Sequence, residues 1–348
     1  MSAVTSQRGQ LLGGALLALV LLAFFFRGVD WAALGGALRD ARILPLAGLV
    51  LVTLAVYSAR AWRWGDLLLP LGRVAFADLF SATMVGFASG LLIPRAGELV
   101  RPWLVSRRYP IPTSAGFGTI ILERLVDLIT VLALFAAYLF VLPTPAAQAE
   151  NRLTHLVKLG GAVTGVVALG VLAFLLALHA NAERVTGLIE SVLKHFPRFI
   201  AEPCGRMLRA FSGGLAVLRA PLSHLAKIGL QSLAVWLLIA LGFHLNHAAF
   251  GIVLPFHATF LLMAFLVVGV AIPTPGMVGG FHAFYLQALA EVFGVPRATA
   301  AAAAVAAHAL SNLPILVFGL VLLGREGLSL GRVVEATRQD RELSEVRP

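Results

Sequence analysis

LLIPRAGELVRPWLVSRR, residues Leu91–Arg108, places Arg95, Glu98 and Arg101 between apolar runs, beside the helix breakers Pro94 and Gly97. The surrounding chain is 59% hydrophobic, with a mean hydropathy of +0.90. A lipid-facing helix tolerates neither the charges nor the break. Non-helical backbone survives at membrane depth only where protein buries it or water lines it. Charges there face the bundle interior and find partners. This stretch therefore reads as the tip and return arm of a hairpin inside a helical membrane protein.

Composition supports that frame. Charged residues make up 13% of the 348 residues, about half the usual share. A bilayer span needs about 20 apolar residues, and six runs reach or approach that length: Gln10–Phe26, Ile43–Ala61, Ala115–Leu142, Leu159–Leu178, Ile228–Phe250 and Ala298–Leu323. The first reads as a retained anchor, because one Arg precedes it and FFFRGVDW follows it in place of a small-residue cleavage site. Two shorter runs, Phe76–Ile93 and Phe256–Ile272, both end in Ile-Pro.

The two Ile-Pro runs resemble each other. One continues Pro94-x-x-Gly97 and the other Pro273-x-x-Gly276. An amphipathic piece follows each, then a helix-opening proline, Pro112 or Pro296, then a long apolar run. Proline early in a helix loses nothing, since its N–H would be unpaired there anyway. In the second hairpin, Pro273, Pro275, Gly276, Gly279 and Gly280 shape an unwound turn without charge. The order span, span, hairpin, span occurs twice, which predicts an all-α polytopic membrane protein of about six spans and two re-entrant hairpins. Eight or more full crossings is the alternative. Repeats of three spans have opposite orientation, and inverted repeats with broken helices are a transporter device. The expected organisation is one membrane domain over residues 1–324, with repeats near 10–142 and 155–323, a cytoplasmic amphipathic insert at 181–227 and a charged tail at 325–348. A short interfacial helix is expected within Asp30–Arg42.

The formal net charge is +10. With the N-terminus inside, 20 of the 27 Lys and Arg residues fall on inside segments, including Arg60, Arg63 and Arg73, Arg95 and Arg101, and seven between Arg184 and Lys227. The positive-inside rule accounts for this excess without nucleic acid and puts both termini in the cytoplasm. The single cysteine, Cys204, rules out an internal disulfide and a cysteine zinc site.

LERLVDL carries the strongest chemical signal. Counted from Pro112 at about 1.5 Å per residue, Glu123 lies about 16 Å along its helix, near mid-bilayer. Glu123 and Asp127 are four apart and share a face, while Arg124 and Asp127 are three apart and can pair. Arg95 or Arg101 from the hairpin is placed to sit between the acids. One reading is a structural ion network that fixes hairpin to helix. The other is a headgroup site, with Arg95, Arg101 and Arg124 gripping a phosphate in bidentate fashion, Glu123 and Asp127 complementing a cation or a proton, and Glu98 a further headgroup candidate. His308 and Asn312, 12 and 16 residues after Pro296, supply polar groups at similar depth from the other side. His244 and His247 lack a third metal ligand nearby. No metal or cofactor is expected. The chain has no GxxxxGK[ST] or HExxH motif and no DxD.

IPRAGELVR…SRR, then ILERLVDL, then PTPGMVGGF and a final proline-containing span together resemble the flippase-like family, also called the lysylphosphatidylglycerol synthase transmembrane family. The resemblance runs along essentially the whole chain. It implies a polytopic cytoplasmic-membrane protein that translocates lipid. It implies no lysyl transfer, because the aminoacyl-transfer domain of the bifunctional members has no counterpart here. The last span reads VAAHALSNLP where many members carry an arginine. The expected partners are membrane lipids (an anionic or aminoacylated phospholipid or a lipid-linked glycan) and a lipid-modifying enzyme. An enzyme acting on a lipid carrier, or a scaffold for such an enzyme, is the alternative.

Overall fold

The computed structural model describes residues 16–23, 25–93, 96–140, 215–272 and 274–325, with scattered positions between 166 and 193. Pro94, Arg95 and Pro273 at the hairpin tips lie outside the described residues, as do the tail beyond Arg325, most of the expected span at 159–178 and most of the insert at 181–227.

All regular elements among the described residues are helical. After a helical stretch at residues 16–23 come α1 (Trp31–Arg39), α2 (Ile43–Leu68), α3 (Phe76–Leu92), α4 (Ala96–Ser106) and α5 (Thr113–Phe140). Then follow α6 (Leu222–Ala249), α7 (Ala258–Ala271), α8 (Gly280–Gln287) and α9 (Arg297–Arg325). Local chemistry fixes several starts. The Asp30 carboxylate caps α1 by accepting from the Ala32 and Ala33 N–H groups at 2.9 and 3.1 Å. α5 and α9 open directly after Pro112 and Pro296, whose carbonyls accept from Gly116 and Ala300 at 3.0 and 2.9 Å.

By length and composition, α2, α6 and α9 are long and apolar enough to cross a membrane, and α3 and α7 are shorter apolar helices. α5 is as long as α6, at 28 residues, but carries the acidic cluster. Ile43, Leu44 and Leu51 of α2 and Leu313, Val317 and Val321 of α9 are exposed. These apolar outer faces suit acyl chains rather than water.

Two helix–turn–helix elements face each other at the centre. In the first, α3 ends where Ile93 turns extended, and α4 folds back along α3. In the second, Ile272 turns extended, a 3₁₀ turn spans Pro275–Met277, and α8 packs on α7. Gly276, Met277 and Gly279 have φ of 61°, 58° and 88°, a left-handed path that glycine adopts freely and methionine does not. Each element closes on a glycine pair eleven residues apart. A Cβ on Gly97 would strike the Gly86 carbonyl, and a Cβ on Gly269 would lie 2.7 Å from the Gly280 carbonyl. Across the two elements, a Cβ on Gly276 would lie 3.8 Å from the Leu91 carbonyl.

The remaining helices brace this pair. α2 lies along α6. α9 crosses α3 where a Cβ on Gly319 would sit 2.8 Å from the Met84 carbonyl. Five consecutive alanines, Ala300–Ala304, are wholly buried, and small side chains of this kind allow close helix approach in a membrane. Asn246 of α6 donates to Tyr285 Oη and to the Ala303 carbonyl, both at 2.9 Å, tying three helices together.

One boundary differs from the apolar run that predicted it. α2 continues past Ala61 to Leu68. Arg60 and Arg63, counted with the inside loop by charge alone, therefore ride on the helix and are buried at 6% and 0% exposure. Arg101, counted the same way, is 2% exposed. The acids of α5 draw all three inward.

Candidate functional site

The site grows from the acidic ladder on α5. Glu123 and Asp127 point the same way and are 0% and 4% exposed. An isolated carboxylate in such surroundings would cost many kcal/mol. Four guanidinium groups converge on the two acids. Arg63 lies between them, with Nη1 2.6 Å from Asp127 Oδ1 and Nη2 3.3 Å from Glu123 Oε1. It also donates to Ser232 Oγ on α6 at 2.6 Å. Arg101 reaches over from α4 and forks onto Glu123 at 3.2 and 3.0 Å. Arg60 meets Asp127 at 3.3 Å. Arg124 meets Glu123 at 3.2 Å and Asp127 at 3.8 Å. Trp236 Nε1 of α6 donates to Asp127 Oδ1 at 3.0 Å.

Aromatic rings hold the guanidinium groups in place. Arg101 stacks over Trp64 at 4.4 Å, and Trp64 is itself locked by its Nε1 donating to Thr119 Oγ1 at 3.0 Å. The Phe87 ring carries Arg60, Arg101 and Arg124 at 5.5, 5.5 and 5.7 Å. Among the described residues, four arginines against two acids leave this network with two unbalanced positive charges.

A cavity of about 380 Å³ opens beside the network. Arg60, Arg101 and Arg124 line it on one side with Tyr57, Phe87 and Trp236. Gly86, Gly90 and Gly97 of the first hairpin face Ile272, Thr274 and Met277 of the second across it. Asn312 and Ile315 of α9 complete the wall. Glu98 lies on the lining and is exposed. Glu123 and Asp127 sit behind the guanidinium groups and do not reach the lining.

The sequence-predicted residues thus divide. Glu98, Arg101, Arg124 and Asn312 meet at one cavity, with Gly97 at its wall. His308 is not on the lining: its Nε2–H donates to the Gly276 carbonyl at 2.8 Å, holding the second turn against α9, and its ring packs 4.6 Å from His282. Asn312 donates to the His308 carbonyl at 2.9 Å. Gly279 backs onto the N-terminal helical stretch, where its Cβ would lie 2.6 Å from Leu21. Arg60, Arg63, Tyr57 and Trp236 are the participants that sequence reasoning missed. The signal was present in RAWRW, which sets Arg60 and Arg63 three apart on one helical face. No group of three or more metal-ligating side chains forms among the described residues.

Residues 10–319 match the family described as the lysylphosphatidylglycerol synthase TM region. The chain belongs to this family. A relative within curated proteins is "Glycosyltransferase AglD" of Haloferax volcanii, 26% identical over 365 residues. That similarity takes in 97% of this chain and 58% of the relative, so the chain spans a little over half the length of the protein it matches. The family match takes in both hairpin elements, the ladder on α5 and most of α9.

Proposed function

We propose that the chain is an ATP-independent translocase that carries a lipid headgroup across a cytoplasmic-type membrane. In this reading six spans and two re-entrant hairpins form an inverted repeat, with both termini cytoplasmic. The observation that carries it is the cavity between the two broken elements, lined by three guanidinium groups that form, with Arg63, Glu123 and Asp127 behind them, a network of net charge +2. A lipid phosphate would leave the bilayer surface, lodge against Arg60, Arg101 and Arg124, and be released on the other side as one repeat rocks against the other. The glycine contacts at 86/97 and 269/280 let hairpin arms slide without unpacking side chains. A lipid-modifying enzyme that supplies the substrate is the partner this reading expects.

A second reading, an enzyme acting on a lipid carrier, draws on the name of the Haloferax volcanii relative, which belongs to a longer protein. Against it stands the state of the buried acids. Glu123 and Asp127 are each held by at least two arginines, a poor setting for a general base.

Reconstituted vesicles containing fluorescent anionic or aminoacylated lipids test the proposal. Purified protein should expose inner-leaflet label faster than empty vesicles do. Arg124→Ala and Glu123→Gln should abolish the gain while the protein still inserts. Rates equal to those of empty vesicles would defeat the translocase reading for those lipids, and covalently altered lipid in the mass spectrum would favour the enzyme.

A further inference from the structure

We infer that the cavity selects a lipid ending in a phosphate monoester or diphosphate, and rejects headgroups that carry an ammonium group. Two independent features of the site lead there. The first is charge. Arg63 and Arg101 are consumed by Asp127 and Glu123, which leaves Arg60 and Arg124 as the surplus pair. Both line the cavity. The side chain of Arg124 is 40% exposed there, whereas that of Arg101 is 2% exposed. A surplus of two positive charges lining the cavity is balanced best by a ligand of charge near −2. A phosphate monoester carries about −1.5 to −2 near neutral pH and offers three acceptor oxygens, while the diester of an ordinary phospholipid carries a single negative charge.

The second feature is what the site lacks for a cation. Ammonium groups are held by carboxylates or by open aromatic faces. The two buried carboxylates are covered by guanidinium groups and do not reach the lining. The Phe87 ring already has three arginines within 5.7 Å, and the Trp236 ring has Arg60 at 5.9 Å. Glu98 is exposed to solvent, where pairing is weak. An aminoacyl, ethanolamine or choline group would enter a cavity whose buried carboxylates are covered by arginines and whose Phe87 and Trp236 rings already carry them, beside like charge.

This inference rests on the translocase reading only for the ligand's being a lipid, and its test reads binding rather than movement. Purified protein is mixed with equal amounts of phosphatidic acid, phosphatidylglycerol and lysylphosphatidylglycerol, and retained lipid is counted by native mass spectrometry. Phosphatidic acid should be retained over each of the others by about tenfold or more, the worth of one charge-assisted hydrogen bond. Arg124→Gln, which leaves Glu123 held by Arg63 and Arg101, should bring phosphatidic acid down to the phosphatidylglycerol level. Arg60→Gln/Arg124→Gln should do the same if it folds, judged by its melting temperature. Equal retention of the three lipids, preference for the lysyl lipid, or an unchanged preference in Arg124→Gln would overturn the inference. Glycerol 3-phosphate in excess should leave the bound lipid in place; displacement would mean the ligand is a soluble phosphate ester. Selective binding without vesicle transport would remove the translocase reading and leave the phosphate site standing. Transport of an aminoacylated lipid without this preference would do the reverse.

Discussion

Replacing Arg63 with methionine probes the centre of the ion network. Methionine keeps much of the length and removes the charge. Arg63 is wholly buried and contacts Asp127 at 2.6 and 3.3 Å, Glu123 at 3.3 Å and Ser232 at 2.6 Å. Removing one partner of a buried ion pair costs about 3–5 kcal/mol. Asp127 keeps Arg60 at 3.3 Å and Trp236 at 3.0 Å, and Glu123 keeps the Arg101 fork, so the lower end, about 3 kcal/mol, applies here. With an unfolding entropy of about 2.1 cal/mol/K per residue over the 348 residues, that lowers the melting temperature by about 4 °C. Thermal unfolding in detergent, followed by tryptophan fluorescence, reads the change, because Trp64 and Trp236 lie in the network. The decisive comparison is Arg63→Met/Asp127→Leu. With both charges gone, the double variant should be more stable than the summed single losses by about 1–3 kcal/mol, as expected for residues in one network. A coupling energy below about 0.5 kcal/mol would show that Arg63 and Asp127 act independently, and would refute the reading of a single cluster.

Gly97→Ala places a methyl group against the Gly86 carbonyl. It should cost about 1–3 kcal/mol through overpacking and slow lipid movement, whereas Gly36→Ala, which meets open space, should change neither melting temperature nor rate. Asp30→Ala removes the α1 cap and should lower stability by about 1 kcal/mol, with faster hydrogen exchange confined to residues 31–34. His308→Phe removes the donor to Gly276 at 2.8 Å and should raise proteolytic or exchange sensitivity at residues 274–279 first; unchanged protection there would mean that the histidine does not hold the turn.

Much of this arrangement was legible from residue type and spacing. Pro112 and Pro296 marked the starts of α5 and α9 because a ring without an N–H belongs in a first turn. Glu123 and Asp127 announced a buried site because carboxylates at that depth demand partners. The partners were the harder part. Arg60 and Arg63 follow an apolar run, and a rule that averages hydropathy assigns such arginines to the nearest loop. Arg101 and Arg124 already match the two acids in number, so charge counting did not call for Arg60 and Arg63, and only the three-residue spacing in RAWRW set them on one face. His308 could not be placed from sequence, since its partner is a backbone carbonyl 32 residues away in a turn whose path depends on left-handed residues. The committed state of Glu123 and Asp127 was equally out of reach. Spacing shows that two acids share a face, not that arginines cover them.

The account stands most directly on where lipid headgroups go. A phosphatidic acid analogue with a photoreactive group beside its phosphate, cross-linked to reconstituted protein and mapped by peptide mass spectrometry, gives that position. Adducts should concentrate on the segments around Tyr57, Phe87, Trp236, Met277 and Asn312, and should fall in Arg124→Gln. Adducts confined to the outward faces of α2 and α9, around Leu44, Leu51, Val317 and Val321, would contradict it.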